Sequence, residues 1–292
     1  MILYQLIIVK VELSNKEKGI FIFQLDKNNY IKFCPERGGV ITNWVSDGNE
    51  ILYFDEKRFM DKTKSIRGGI PILFPICGNL NTPSSVFGNG YLQLPQHGFA
   101  RDLQWQYCFN ENEKFLCLFL NASKKTKKYY PFDFELKIEV TLKINCLEFE
   151  ITIHNKTGSA MPINFGLHPY FNISDFKNLE FVDNPLNCQD QDKNTLSNTL
   201  DELNKINLGV DLLMYTSGRS SFRDKIFKRE LTLNHPYPFD LGVIWSDPPR
   251  RMICLEPWTS PRNSFVDGFR SIMIPSNDRK KLNASIQIKS LK

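Results

Sequence analysis

A chain of 292 residues, 41% hydrophobic and 24% charged, has the makeup of an ordinary globular protein and enough length to bury a large core. Its 37 basic and 32 acidic residues leave a net charge of +5 with no basic helix; the longest basic run, Lys124-Lys125-Thr126-Lys127-Lys128, lies between strand-like segments, which sets aside nucleic-acid and membrane binding. No window holds the roughly 18 uninterrupted apolar residues of a membrane span, and seven cysteines without a C-x-x-C pair point away from zinc sites and disulfides, toward a reducing cytoplasm and thiols packed in the core.

The apolar opening, residues 1–11, has neither a basic leader nor a small-residue cleavage site and reads as a first strand. Strand segments follow at 19–25, 30–34 and 115–121. The clearest pattern comes next. From Phe134 to Ile144 every even position is apolar, and through Leu147–Asn155 every odd one up to Ile153, which predicts two half-buried strands joined at a turn over Asn145-Cys146. His154 falls on the polar face of the second strand and reads as surface. Residues 175–206, rich in Asn, Asp and Gln, read as long loops with at most a short helix near 200–206. Strands at 230–233, 242–245, 252–255 and 284–288 complete the pattern. Gly and Pro punctuate the connections, so the predicted class is all-β, an antiparallel sandwich formed as a single domain over 1–292 without internal repeats.

Four loops carry the residues best suited to chemistry. Ser65-Ile66-Arg67-Gly68-Gly69-Ile70-Pro71 surrounds one arginine with glycines, which let a backbone approach a ligand, and a proline, which stiffens it. Gln96-His97-Gly98-Phe99-Ala100-Arg101-Asp102 adds a histidine and a second arginine. In Asn164-Phe165-Gly166-Leu167-His168-Pro169-Tyr170-Phe171, the proline holds His168 out of the helical region, and Phe165, Tyr170 and Phe171 are placed to wall a partly dry cleft. Cys254-Leu255-Glu256-Pro257-Trp258 sets a carboxylate at a strand end beside a tryptophan. Taken singly, each loop also fits a structural role, with the arginines in salt bridges and Trp258 in the core.

Together and in this order, the loops resemble the galactose mutarotase-like superfamily, the aldose 1-epimerases and hexose-6-phosphate mutarotases. The likeness begins at Gly38-Gly39-Val40 and Asp47-Gly48-Asn49-Glu50-Ile51-Leu52-Tyr53 and runs through the motifs around Arg67, His97, His168 and Glu256. It implies a large antiparallel β-supersandwich with the site in a groove on one sheet. It also implies Glu256 as general base and His168 as general acid, with His97 and Arg67 holding the sugar. Asp211, in Gly209-Val210-Asp211-Leu212-Leu213, resembles the acid that fastens two sugar hydroxyls, and Arg101 takes a supporting or phosphate-facing place by position. The Asn-Pro-Trp pattern of classical galactose mutarotases is missing, which leaves the preferred sugar open.

The implied reaction opens a hemiacetal. A base takes the proton of the C1 hydroxyl while an acid protonates the ring oxygen, and the aldehyde turns and recloses on its other face. Positioned proton transfer carries it, so no cofactor or metal is expected. Both groups are expected to converge from opposite edges of one sugar-sized hollow. The partner is a free sugar or a sugar phosphate; Arg67, Arg101, Lys64 and Arg262 are candidates for a phosphate pocket. Two other readings stay open at this stage: a non-catalytic sugar-binding or sensing protein on the same scaffold, and a glycoside hydrolase using Glu256 with Asp211. Nothing in the sequence sets an oligomeric state.

Overall fold

The structure, a computed structural model, describes residues 10–15, 19–110 and 115–292. Most of the predicted 1–11 strand lies outside them; the strand found there is Lys10–Asn15. It starts a five-stranded meander with Ile20–Asp26, Asn29–Cys34, Val40–Ser46 and Asn49–Glu50. Two larger sheets of eight strands each make up the body, and all their strand pairs are antiparallel.

Alternation builds the first of these. Phe134, Leu136, Ile138, Val140 and Leu142 are buried along Phe134–Lys143, as are Leu147, Phe149, Ile151 and Ile153 along Cys146–Asn155. The two strands pair from Cys146 opposite Lys143 to Asn155 opposite Phe134. The turn sits one residue earlier than predicted, over Ile144-Asn145, where Asn145 takes a φ of 58° and Ile144 is exposed. Asparagine tolerates this left-handed geometry, whereas a β-branched residue resists it. Arg279–Ser290 pairs on the other side of Cys146–Asn155, and Arg229–Asn234, Arg219–Asp224 and Leu179–Val182 extend the sheet.

The second large sheet runs in the order Thr195–Asn198, Asn187–Asp190, Val210–Tyr215, Leu241–Ser246, Met252–Trp258, Gly166–Leu167, Ile72–Leu73, with Tyr170–Asn172 also paired to Met252–Trp258. Its Leu212, Ile244, Ile253 and Leu255 join one buried cluster with the apolar faces of the first sheet. Stretch 175–206 departs from the expected loops. It holds the strands Leu179–Val182, Asn187–Asp190 and Thr195–Asn198 and the helix Thr199–Leu203, whose first turn is capped by the Asn198 side chain. Leu179–Val182 and Thr195–Asn198 are sheet edges with a neighbour on one side only, so they bury little; the first is only four residues long and the second is mostly polar, which hides the strand signal. The cysteines also divide more than expected: Cys77, Cys188 and Cys254 are buried, but Cys108 is exposed. Among the described residues no helix is long and apolar enough to cross a membrane.

Candidate active site

Met252–Trp258 organises the site because it is buried along its whole length and so has two working faces. Ile253 and Leu255 enter the main core. Cys254, Glu256 and Trp258 alternate with them and project from the opposite face of the sheet. Register brings neighbours to that face: Trp245 stands opposite Cys254 and Asp211 opposite Trp245. His168 lies between Gly166–Leu167 and Tyr170–Asn172, both paired to Met252–Trp258, and its backbone N–H donates to the Pro71 carbonyl at 3.0 Å.

The two predicted acid–base residues meet. His168 Nε2 lies 3.2 Å from Glu256 Oε1, with side chains 9% and 2% exposed. Trp258 Nε1 donates to Glu256 Oε2 at 3.0 Å, and the imidazole stacks on Tyr170 with centroids 4.6 Å apart and planes 7° from parallel. Glu256 and His168 therefore stand side by side on one wall, in hydrogen-bond contact, and not at opposite edges of the hollow as expected, because both strands flanking His168 pair with Met252–Trp258. Burial, followed by the nearby Asp211 charge, pushes the Glu256 carboxyl well above the ordinary glutamate range. Burial, followed by the Arg101 and Arg67 charges, holds the His168 imidazole well below the ordinary histidine range. Both shifts favour neutral forms, with one proton shared between carboxyl and imidazole.

His97 faces the pair with its ring 5.6 Å from His168 and 5.7 Å from Trp258. Its Nδ1 accepts the Gly78 N–H at 3.0 Å, and the His97 backbone N–H donates to the Gly78 carbonyl at 2.6 Å. An acceptor at Nδ1 leaves the proton on Nε2, and burial with the surrounding cations keeps the ring neutral. His97 is thus a fixed hydrogen-bond donor. Gly78 was not singled out by the sequence, yet it serves two site residues at once. A Cβ there would fall 2.2 Å from Arg262 Cγ, and its φ of +69° disfavours any other residue. Gly78→Ala is expected to raise KM at least about tenfold through displacement of Arg262 and His97. Steady-state kinetics beside a melting curve checks this: an unchanged KM in a folded variant would remove Gly78 from the site.

Arg262 Nη2 forms an ion pair with Asp211 Oδ2, while Gln191 Nε2 donates to Asp211 Oδ1 at 2.6 Å. Arg67 lies over the Trp245 ring at 5.2 Å, and its Nη1 donates to Ser65 Oγ at 3.1 Å. Arg101 Nη2 donates to the Gln96 carbonyl at 2.8 Å. Apart from Gln191, these residues, with Tyr170, Trp245 and Trp258, line one cavity of about 120 Å³ that holds all six predicted site residues, Arg67, His97, Arg101, His168, Asp211 and Glu256. Its polar lining and small size suit one polar ring more than a drug-sized ligand, whose sites run to roughly 300–1,000 Å³. A larger groove of about 890 Å³ near Phe176, Phe181 and Leu200 has only half-buried or exposed charged residues and no such pair.

Several expectations change here. Phe165 and Phe171 do not wall the cavity; both are fully buried in the main core, and only Tyr170 of the three aromatics reaches it. Lys64 stays outside, paired with Asp61 at 3.1 Å. Gly68 and Gly69 serve backbone packing, Gly68 against Tyr53 and Phe54 and Gly69 against the Ile41 carbonyl, instead of approach to a ligand. Trp245 escaped notice because its place depends on strand register.

The sequence model of the aldose 1-epimerase family matches residues 22–267. The chain belongs to the aldose 1-epimerase family. A Salmonella typhimurium protein with the provisional name glucose-6-phosphate 1-epimerase is 31% identical over 148 residues, which cover 49% of this chain and 46% of that protein. A Cenchrus ciliaris protein of the same provisional name is 32% identical over 153 residues, 47% of this chain and 42% of that protein. The chain thus spans less than half the length of these curated relatives. Among solved structures, the Slr1438 protein of Synechocystis sp. PCC 6803 is similar at 29% identity, with a TM-score of 0.84 over 97% of this chain and 96% of that one. A galactose mutarotase-like protein of Lactobacillus casei shares the fold at 18% identity, with a TM-score of 0.74 over 93% of this chain and 100% of that one. The family's fold is mostly antiparallel β-sheet, as found here.

Proposed function

We propose that this chain is an aldose 1-epimerase that interconverts the α and β anomers of a hexose, with a hexose 6-phosphate as its preferred form. The observation that carries the reading is the buried contact of His168 Nε2 with Glu256 Oε1 at 3.2 Å, on the wall of a cavity lined by hydrogen-bond donors. When the proton they share has passed from the Glu256 carboxyl to His168 Nε2, Glu256 takes the proton of the C1 hydroxyl and His168 gives its own to the ring oxygen as the C1–O5 bond breaks. The aldehyde rotates about C1–C2, and the same groups act in reverse when the ring closes. Because the two side chains share one proton, each turnover returns the pair to its starting charge. His97 Nε2–H orients sugar oxygens, Arg67 and Arg101 face the 6-phosphate, Asp211 accepts from two hydroxyls, and Trp258 and Trp245 offer apolar faces to the C–H side of the ring.

The preference for phosphate rests on charge. Arg67, Arg101 and Arg262 all line a small cavity, and Arg262 alone is matched at short range by a carboxylate; Arg67 and Arg101 meet Asp247 and Asp102 only at 3.8 Å. Guanidinium forks suit phosphate oxygens. The partner is then a small molecule in the cytoplasm, with no nucleic acid or membrane surface involved.

Exchange spectroscopy by NMR on equilibrated anomers of glucose and of glucose 6-phosphate tests this directly. Faster exchange of the phosphosugar is the expected result. Binding of either sugar without faster exchange would make the chain a sugar-binding protein. Arg67→Gln and Arg101→Gln are expected to raise KM for glucose 6-phosphate at least about tenfold, the worth of a lost charge-assisted hydrogen bond, and that for glucose less than about threefold. Equal losses on both sugars would place the arginines on the ring and not on the phosphate.

A further inference from the structure

Cys254 plays no part in the proton transfers, yet its side chain leaves the strand on the same face as Glu256, two residues away. Among the described residues, His168, Cys254 and Glu256 are the only group of three His, Cys, Asp or Glu side chains that could hold a metal ion, with ligand atoms all within 4.8 Å of one another. All three are buried, Cys254 completely. A tetrahedral zinc ion with bonds of about 2.0–2.3 Å sets neighbouring ligand atoms about 3.3–3.6 Å apart. The imidazole and carboxylate already stand at 3.2 Å. The thiol needs to close by no more than about 1.2–1.5 Å, within reach of a turn about its Cα–Cβ bond.

We infer that His168 Nε2, Cys254 Sγ and Glu256 Oε1 form a binding site for a borderline-soft divalent cation of the zinc type, and that its occupation blocks the enzyme. The donor set selects the metal: one thiolate, one imidazole and one carboxylate suit zinc or cobalt and not magnesium or calcium, which need oxygen shells. His168 and Glu256 line the cavity, so an ion reaches them from solvent and its fourth position opens toward the sugar. Arg67 and Arg101 repel a cation there, which makes the two anionic ligands necessary. Ligation releases the thiol proton and the proton of the pair to solvent. It also occupies the lone pairs at Oε1 and Nε2, leaving neither group able to take or give a proton. The inhibition rests on the proposed anomerisation; the binding does not.

Cobalt(II) titrated into the reduced, chelator-treated protein provides the test. One equivalent is expected to bind with a thiolate-to-cobalt charge-transfer band, which zinc then bleaches. Cys254→Ala is expected to lose the band and keep sugar exchange within about threefold. It also raises the half-inhibitory zinc concentration at least about a hundredfold, more than outer-shell losses of roughly 10–100-fold. Cys254→Ser stands in if the alanine variant does not fold. Absence of a band in the parent protein overturns the inference, as does a band that survives removal of Cys254, since the thiolate would then belong to another cysteine. A band without sugar exchange upholds the metal site and overturns the epimerase; exchange without a band does the reverse.

Discussion

Replacing Glu256 by glutamine lowers the rate of anomerisation at least about a hundredfold, within the roughly 10²–10⁴ that positioned proton transfer supplies, and raises the melting temperature at pH 8. The two effects have one cause. Glutamine keeps the shape of the protonated acid: its oxygen can accept the Trp258 Nε1–H and its amide can donate to His168 Nε2, the contacts made now at 3.0 and 3.2 Å. It cannot take a proton. The sign of the stability change follows from the raised carboxyl, which burial and Asp211 hold above its unfolded value. From about pH 4.3 upward the unfolded chain gives up this proton freely while the folded one resists, so the parent protein loses stability as pH rises toward the folded value. The glutamine variant lacks that penalty. Its advantage is near zero at pH 4 and grows through neutral pH, at roughly 2–4 °C for each kcal/mol relieved. Melting curves at three pH values with parallel NMR exchange rates measure both. A variant that melts lower at pH 8, or keeps full turnover, contradicts the assignment.

His168→Asn is expected to cost a similar factor, at least about a hundredfold in turnover, since the ring oxygen then loses its acid. The parent enzyme's pH profile carries the sharper prediction. Burial and the cations Arg101 and Arg67 hold the imidazole below its ordinary value, so it does not gain a second proton near pH 6.5. The carboxyl, held up, keeps its proton well past the ordinary glutamate range. The one-proton state of the pair therefore spans a wide window, and kcat should be flat through pH 6.5, falling on the acid side only as His168 titrates and on the alkaline side as Glu256 does. Stability carries the mirror image of the glutamate effect: with its folded value depressed, His168 costs the protein stability as pH falls below about 6.5, and the asparagine variant escapes that loss. An inflection in kcat at pH 6.5 would mean a solvated imidazole.

Much of the fold was readable because the strands around residues 134–155 have one wet and one dry face, and a period of two records that directly. The predicted faces are the observed ones except at Ile144, which falls in the turn and is exposed. Where both sides of a strand are buried, as in Met252–Trp258, or where a strand ends a sheet, as in Thr195–Asn198, the period fades. The aromatic motif around His168 shows the same limit at the site. Tyr170 and Phe171 are neighbours, so a strand sends them to opposite faces, and the sequence does not say which one meets the cavity. All six site residues suggested by loop motifs line that cavity. Trp245 and Gly78 were missed because one depends on register and the other on what lies against its Cα.

From the order of its residues alone, this protein has an all-β class, an alternating core and a set of acid, base and cation side chains in short motifs, of which Glu256 and Asp211 proved to lie within strands and not on loops. Those are properties of residue type and local spacing. Tertiary structure decided that His168 and Glu256, distant along the chain, touch at 3.2 Å, that Arg262 is held by Asp211, and that Cys254 stands behind the pair. It also decided their protonation. Desolvation is a sum over every neighbour that excludes water, and those neighbours come from strands far apart in sequence.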